Sequence, residues 1–243
     1  MARAPGDRTP VGGWPKRAFD FGLAGGLCLL LWPLGLAIAG AILALDGRPV
    51  LFASERIRAP GQPFTLWKFR TMAPGSDDGM ATGGEKRGRV TALGRWLRRT
   101  RLDELPQVVN ILRGDMSFVG PRPPLRRYAE LFPDLYARVL RARPGLTGLA
   151  TLLYHRREAA LLSACASAAE SDAIYRARCV PAKARLDRIY LKRQSLAFDL
   201  GLLWRTLRRV ALGAPRPARR PRTPARRAAP GPAGGGPARE TGR

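Results

Sequence analysis

Phe21-Gly-Leu-Ala-Gly-Gly-Leu-Cys-Leu-Leu-Leu-Trp-Pro33-Leu-Gly-Leu-Ala-Ile-Ala-Gly-Ala-Ile-Leu-Ala-Leu45 is the run that decides the fold. It carries no charge and is apolar on every face of a helix, which sets it apart from a surface helix with one greasy stripe. It is long enough for a membrane helix, which needs about 20 apolar residues, and too long for the apolar part of a cleavable signal peptide. Pro33 lies near its middle and removes a backbone hydrogen bond, which kinks a helix. Each half, about 12 residues, extends about 18 Å at helical rise, short of an apolar core of about 30 Å. Arg3, Arg8, Lys16 and Arg17 precede the run, and Arg48, Arg56 and Arg58 follow it. Positive flanks stay on the cytoplasmic side, so both ends belong there. A re-entrant helix-break-helix satisfies both flanks; a kinked single span is the alternative.

Charge extends that picture outward. The chain of 243 residues holds 43 Lys+Arg against 18 Asp+Glu, a formal charge of +25. Residues Ala214–Arg243 supply +7 of this, leaving +18 on the body. An excess of this size calls for an anionic partner: nucleic acid, an anionic lipid surface or a phosphate-rich substrate. Cys28, Cys165 and Cys179 share no ligand or redox spacing, so no disulfide framework is expected and the bulk of the chain suits a reducing compartment. A single histidine, His155, rules out a histidine-rich metal site.

After the apolar run, Pro49–Met72 reads as a β-hairpin. Two runs rich in β-branched and aromatic residues flank the turn Arg58-Ala-Pro-Gly61. In the second strand Phe64, Leu66 and Lys68 share one face, and Lys68 and Arg70 point the same way. That pair reads either as a solvated strand face or as a phosphate clamp. Ala73–Arg89 has loop composition. Val90–Thr100 reads as a basic amphipathic helix with a Leu93, Trp96, Leu97 stripe, suited to a core or to a lipid interface.

The densest chemistry lies in Arg101-Leu-Asp-Glu-Leu-Pro-Gln-Val-Val-Asn-Ile-Leu-Arg-Gly-Asp-Met-Ser-Phe-Val-Gly-Pro-Arg-Pro-Pro124. Pro106 is tolerated only in a first helical turn, which places a helix N-terminus near Asp103 and Glu104. Leu102, Leu105, Val109 and Leu112 make the expected buried face, with the two acids off it. Acids in a first helical turn are commonplace, because the free N–H groups favour a carboxylate. Here they keep unusual company: Arg98, Arg99, Arg101, Arg113 and Arg122, with Asp115 after a glycine. Two carboxylates acting on a diphosphate need cations and a divalent metal to offset repulsion.

These residues carry a resemblance. Leu102-Asp-Glu-Leu-Pro-Gln107 followed by Leu112-Arg-Gly-Asp-Met-Ser-Phe-Val-Gly-Pro-Arg-Pro123 resembles the signature of the bacterial sugar transferases, the monotopic polyprenyl-phosphate phosphoglycosyl transferases. Lys16-Arg-Ala-Phe-Asp20, Trp67-Lys-Phe-Arg-Thr-Met72 and Arg143-Pro-Gly-Leu-Thr-Gly148 resemble further motifs of that family in the right order, and Asp187, Tyr190, Ser195 and Asp199 match its C-terminal pattern. The resemblance implies a re-entrant anchor in the cytoplasmic leaflet of the bacterial plasma membrane. It also implies transfer of a sugar-1-phosphate from a nucleotide sugar, usually UDP-linked, to polyprenyl phosphate. Asp103 matches the nucleophile and Mg2+ ligand and Glu104 its assistant, while Lys68, Arg70 and Arg122 are the candidate phosphate-binding residues. Anionic membrane lipids are expected partners and nucleic acid is not.

Two departures stand out. Trp32-Pro33 replaces the family's frequent Ser-Pro, and Leu149-Ala-Thr-Leu-Leu-Tyr-His-Arg-Arg157 replaces Trp-Ala-Gln-Val and a later Asn-Gly-Arg, so the sugar does not carry over. His155 reads as a surface residue beside basic neighbours. Pro124–Arg141 reads as a helix interrupted at Pro133, Leu161–Ala177 as an alanine-rich helix and Ala182–Leu212 as one long helix. The expected architecture is mainly α with a small β-hairpin. It comprises a mobile N-terminus (1–15), a re-entrant membrane helix (16–46), a cytoplasmic interfacial catalytic domain (47–212) and a disordered basic tail (213–243). A membrane-anchored basic protein that binds lipid or nucleic acid without catalysis is the other class of function the charge permits.

Overall fold

The computed structural model describes residues 11–73 and 89–212. Most of the expected mobile N-terminus, most of the loop after residue 73, and the basic tail lie outside the described residues. The fold is mainly helical, as expected. Helix α1, Gly13–Leu45, contains the whole apolar run, and among the described residues it is the one helix long and apolar enough to cross a membrane. It continues through Pro33 with no non-helical residue. The expected break is therefore not an interruption of the helix; a proline removes one N–H and bends a helix without having to unwind it.

Both ends of α1 are fastened to the same folded unit. At its start, Lys16 Nζ donates to Asp199 Oδ2 at 2.6 Å, and Arg17 donates to the Ile111 and Leu112 carbonyls at 2.6 and 2.7 Å. At its end, Arg70 Nη2 donates to the Asp46 and Gly47 carbonyls, both at 2.6 Å, and the Asp46 carboxylate accepts from Thr91 at 2.8 Å. Ala24 packs into one core with Val108, Ile111, Met116 and Phe118, while Ile38 and Ile42 pack into a second with Phe69 and Leu97. Between these contacts Leu29, Leu30, Trp32 and Leu36 are 61–79% exposed. Bulky apolar side chains in that state ask for an apolar medium.

Strands β1 (Leu51–Ala59) and β2 (Gln62–Phe69) form the expected hairpin, in register from Leu51 opposite Phe69 to Ile57 opposite Pro63. Helix α2 (Ala92–Thr100) starts on a Thr91 cap whose hydroxyl accepts from Gly94 N. Its stripe divides: Leu97 is fully buried and Trp96 exposed. A 3-10 turn (Leu102–Glu104) and helix α3 (Gln107–Arg113) come next. The expected buried face holds in part: Leu102, Leu105 and Leu112 are half-buried against the two cores. Val108 and Ile111 point inward with Gln107 and Asn110, and Val109 is exposed. The expectation assumed one continuous helix from residue 102, whereas the tighter turn before Pro106 rotates the faces of α3. Gly114 closes α3 in the left-handed conformation, φ 88°, where an L side chain is strained.

A second sheet was not expected. Strands β3 (Ser117–Val119) and β4 (Gly145–Thr147) pair in parallel, Ser117 opposite Gly145 and Val119 opposite Thr147. The crossover between them holds α4 (Arg126–Leu131) and α5 (Pro133–Val139), divided at Pro133 as expected. The chain packs tightly beyond β3: a Cβ on Gly120 would stand 2.2 Å from the Arg143 carbonyl oxygen. Helix α6 (Leu149–Ser163) begins well before the alanine-rich segment. It is followed by α7 (Ala168–Ile174), a π-helical turn (Tyr175–Cys179) and α8 (Val180–Arg193). Helix α9 (Leu196–Ala211) is separate from α8, because the Ser195 hydroxyl caps it by accepting from Phe198 N. The single long helix expected over 182–212 is thus two.

Candidate active site

The carboxylate pair lies where three elements meet. Arg101 leaves α2 in the left-handed conformation, φ 63°, the one described residue other than glycine to do so. This reverses the chain and drops Asp103 and Glu104 into the 3-10 turn. The pair therefore precedes α3 by two residues rather than sitting in its first turn. Both side chains are buried, at 8% and 7% exposure.

Asn110 aligns the hairpin with this turn. Fully buried on α3, it donates to the Thr65 carbonyl at 2.7 Å and accepts from Trp67 N at 3.2 Å. The strand carrying Lys68 is thereby fixed against the helix that follows the acids. Arg122 arrives from the segment after β3. Its segment is stitched at both ends: Gly145 N donates to the Pro121 carbonyl at 2.7 Å and Ile57 N to the Pro124 carbonyl at 3.1 Å.

Glu104 Oε1 gathers the cations. Lys68 Nζ and Arg122 Nη2 donate to it at 3.1 Å and Arg101 Nη1 at 3.3 Å. Burial works against the charge of Glu104, but Arg122, Lys68 and Arg101 hold its carboxyl down at about 2. Burial and the Arg122 charge push Lys68 below the ordinary lysine value, against the pull of Glu104 and Asp103. Asp103 goes the other way. Burial, then repulsion from Glu104, raise its carboxyl above the usual aspartate value, against Lys68, Arg101 and Arg98. Its Oδ1 is shielded from solvent and meets no partner among the described residues. Two adjacent carboxylates have thus been given opposite environments, one neutralised by three cations and one left with an open oxygen.

Of the residues singled out from sequence, Lys68, Asp103, Glu104 and Arg122 come together. Arg70 does not: strand β2 ends at Phe69, and the Asp46 and Gly47 carbonyls just after α1 take the guanidinium instead. Asp115 is also elsewhere, accepting from Arg58 Nη1 at 3.3 Å. Asp187 is buried, and burial lifts its carboxyl to about 7 despite Lys183. Asp199 and Tyr190 have a fastening role, since Tyr190 Oη donates to Asp199 Oδ1 at 2.9 Å beside Lys16.

Two contributors were missed. Arg101 was only one of several nearby arginines in the sequence; its i,i+3 spacing to Glu104 was the available signal. The other is a group on α6, α8 and the π-helical turn. Lys183 Nζ donates to Glu158 at 3.1 Å and to the Tyr175 hydroxyl at 3.3 Å, and Glu158 and Tyr175 both act on the charge of Arg122. No local motif joins residues so far apart in the chain. Among the described residues no cluster of three His, Cys, Asp or Glu side chains stands ready to hold a metal. Mg2+ does not need one, because one or two carboxylates together with substrate phosphates suffice, and the buried, unpartnered Asp103 oxygen fits that requirement.

Comparison with known proteins adds three findings. A profile of the bacterial sugar transferase family matches residues 11–213. The exopolysaccharide production protein ExoY of Rhizobium meliloti is 36% identical over 220 residues, covering 84% of this chain and 88% of that protein. Two proteins named UDP-glucose:undecaprenyl-phosphate glucose-1-phosphate transferase are also similar. The Caulobacter vibrioides protein is 45% identical over 141 residues, 56% of this chain and 52% of its own length. The Escherichia coli protein is 38% identical over 164 residues, 66% of this chain and 35% of its own length.

Proposed function

The chain belongs to the bacterial sugar transferase family and is a phosphoglycosyl transferase; from that premise we propose that it moves a sugar-1-phosphate from a UDP-sugar onto polyprenyl phosphate through a phosphosugar ester of Asp103. The names of the two glucose-1-phosphate transferases support both substrates, and the ExoY relative supports a role in exopolysaccharide production. The observation that carries the proposal is the contrast within the acid pair: Glu104 gathers Lys68, Arg101 and Arg122, while Asp103 Oδ1 is buried without a partner among the described residues.

In the first step an Asp103 carboxylate oxygen attacks the sugar-bearing phosphorus. The bond from that phosphorus to the bridging oxygen breaks, and UMP leaves with the electron pair. In the second step a phosphate oxygen of polyprenyl phosphate attacks the same phosphorus. The Asp103–phosphorus bond breaks and returns the carboxylate, yielding the polyprenyl diphosphate sugar. Lys68 and Arg122 turn from Glu104 to the incoming phosphates, so Glu104 acts by holding them in place beforehand. Asp103 would hold Mg2+, which, when bound, supplies charge neutralisation to the diphosphate and favours the ionised carboxylate. The non-catalytic alternative gives none of these groups a role.

The same proposal places the enzyme on the cytoplasmic face of the plasma membrane, anchored by a re-entrant α1 and surrounded by anionic lipid. It is supported by the two ends of α1, both fastened to one folded unit, with exposed apolar side chains between them. A span would carry one of those ends to the opposite face. Membranes containing the protein are expected to release UMP from a UDP-sugar when given polyprenyl phosphate and Mg2+, and Asp103→Asn to abolish it. Full activity in Asp103→Asn would remove the nucleophile from the scheme.

A further inference from the structure

Lys68, Arg101 and Arg122 meet at one oxygen of Glu104, and they are not equivalent. Lys68 comes from β2 and Arg122 from the segment after β3, so each reaches Glu104 by its side chain alone. Arg101 is tied to Glu104 through backbone and side chain. Glu104 N donates to the Arg101 carbonyl at 3.2 Å, and Arg101 Nη1 donates to Glu104 Oε1 at 3.3 Å. Residues i and i+3 of a 3-10 turn lie one above the other. This cation is therefore built into the turn that carries the acids, whereas the other two belong to separate elements.

The backbone of Arg101 points the same way. It closes α2 and opens the turn at φ 63°, a position that glycine fills freely and an L side chain does not. A conformation of this kind persists where the surrounding structure requires it, and such positions gather at functional sites. Among the described residues Glu104 is the one group that the Arg101 guanidinium bonds. Arg101 also stands just before Leu102–Gln107, so the motif that carries the family resemblance assigns it no role.

The arginine side chain is 44% exposed, and between two solvated groups such a pair contributes little. Its partner, however, is only 8% exposed, and a buried carboxylate is costly to leave unpaired. In the proposed reaction Lys68 and Arg122 turn from Glu104 to the substrate phosphates. Without a third cation, their departure would strand a buried charge beside Asp103.

We infer that Arg101 is the cation that stays: a positioning residue that holds and neutralises Glu104 while Lys68 and Arg122 are engaged with phosphate. The inference rests on the proposed reaction for the movement of those two side chains. Arg101 acts through Glu104 and does not itself touch the donor.

Donor affinity of the detergent-purified full chain tests this, read by titration calorimetry at fixed Mg2+. The probe is the UDP-sugar that supports UMP release, with a methylene in place of its bridging oxygen, so that binding is read apart from chemistry. Arg101→Gly removes the guanidinium and suits the backbone, so its thermal midpoint should hold or rise. It is expected to bind the probe roughly tenfold more weakly, and Arg101→Lys, which keeps a charge, to recover most of the loss. Arg101→Gln, a neutral side chain of similar reach, repeats the comparison without the glycine. The decisive arm places Arg101→Gly in a Glu104→Gln background. With no charge left to neutralise, it should change affinity by less than about twofold. A tenfold loss that persists in that background means that Arg101 binds phosphate directly, and overturns the positioning role. Parent-like affinity in both Arg101→Gly and Arg101→Gln overturns it too. If no UDP-sugar supports UMP release from the unaltered chain, the reaction reading fails first, and the inference falls with it.

Discussion

Asp103 and Asp199 are both buried aspartates beside a lysine or arginine, and they end in opposite states. Asp199 Oδ2 accepts from Lys16 at 2.6 Å and from Gln194 at 3.1 Å, and its Oδ1 accepts from Tyr190 at 2.9 Å. Both oxygens are answered, and what they join is the start of α1 to α8 and α9. Asp103 has Glu104 beside it and an oxygen that meets no partner among the described residues. A buried charge with every lone pair answered holds a fold together. One left open is stabilised only when something else arrives, and its cost is tolerated where chemistry is done. Lys16 and Lys68 differ in the same sense: Lys16 is locked to an aspartate, while Lys68 shares its glutamate with two arginines, and in the proposed reaction it turns to a phosphate.

The contrast breaks most visibly by mutation of the two aspartates. Asp103→Asn is expected to lower UMP release by roughly three orders of magnitude or more, as loss of a nucleophile does. Its thermal midpoint should hold or rise, since the amide ends the repulsion with Glu104. Asp199→Ala should do the reverse. It strands Lys16 in a buried place and costs about 3–5 kcal/mol of stability by denaturant titration, with activity following the folded fraction. An Asp199→Ala protein as stable as the parent would dissolve the distinction.

Acid sharpens it. The folded value of Glu104, about 2, lies below the ordinary 4.5. A lowered acid contributes stability that is fully present above its unfolded value and is lost as pH falls through the folded one. The contribution is of order 3 kcal/mol above pH 4.5 and should roughly halve between pH 5 and pH 3. Denaturant titrations of the parent and Glu104→Gln across that range should converge as the pH falls; a constant gap would mean the cations do not hold Glu104. Arg70→Gln is the mildest change. It should cost about 1.5–3 kcal/mol through the two carbonyls closing α1, and leave KM for the UDP-sugar where it was. A rise in that KM would restore Arg70 to the phosphate site.

The same division explains what was legible in the sequence. The apolar run, the hairpin and the Pro133 break follow from local chemistry, and each stands where its residues place it. The grouping of Asp103, Glu104, Lys68 and Arg122 was legible through motif resemblance, because each lies in a contiguous motif. Arg70 leaves the expected place because strand alternation stops one residue before it, where helix carbonyls compete for the guanidinium. The parallel β3–β4 pair was hidden because each strand has only three residues and its partner is a long crossover away. The break between α8 and α9 was signalled by Ser195, but periodicity on both sides of it looked continuous. Asn110, Glu158 and Lys183 act through partners distant in sequence, so no spacing could reveal them.

The central claim is that Asp103 carries the sugar phosphate between the two substrates. The direct measurement is intact-protein and peptide mass spectrometry after rapid mixing of the purified enzyme with a UDP-sugar and Mg2+, with polyprenyl phosphate left out. The account predicts a burst of UMP matched by a sugar-phosphate adduct on the peptide containing Asp103, discharged when polyprenyl phosphate is added. UMP release that waits for polyprenyl phosphate, with no adduct on the enzyme, would contradict it and point to direct transfer between two bound substrates.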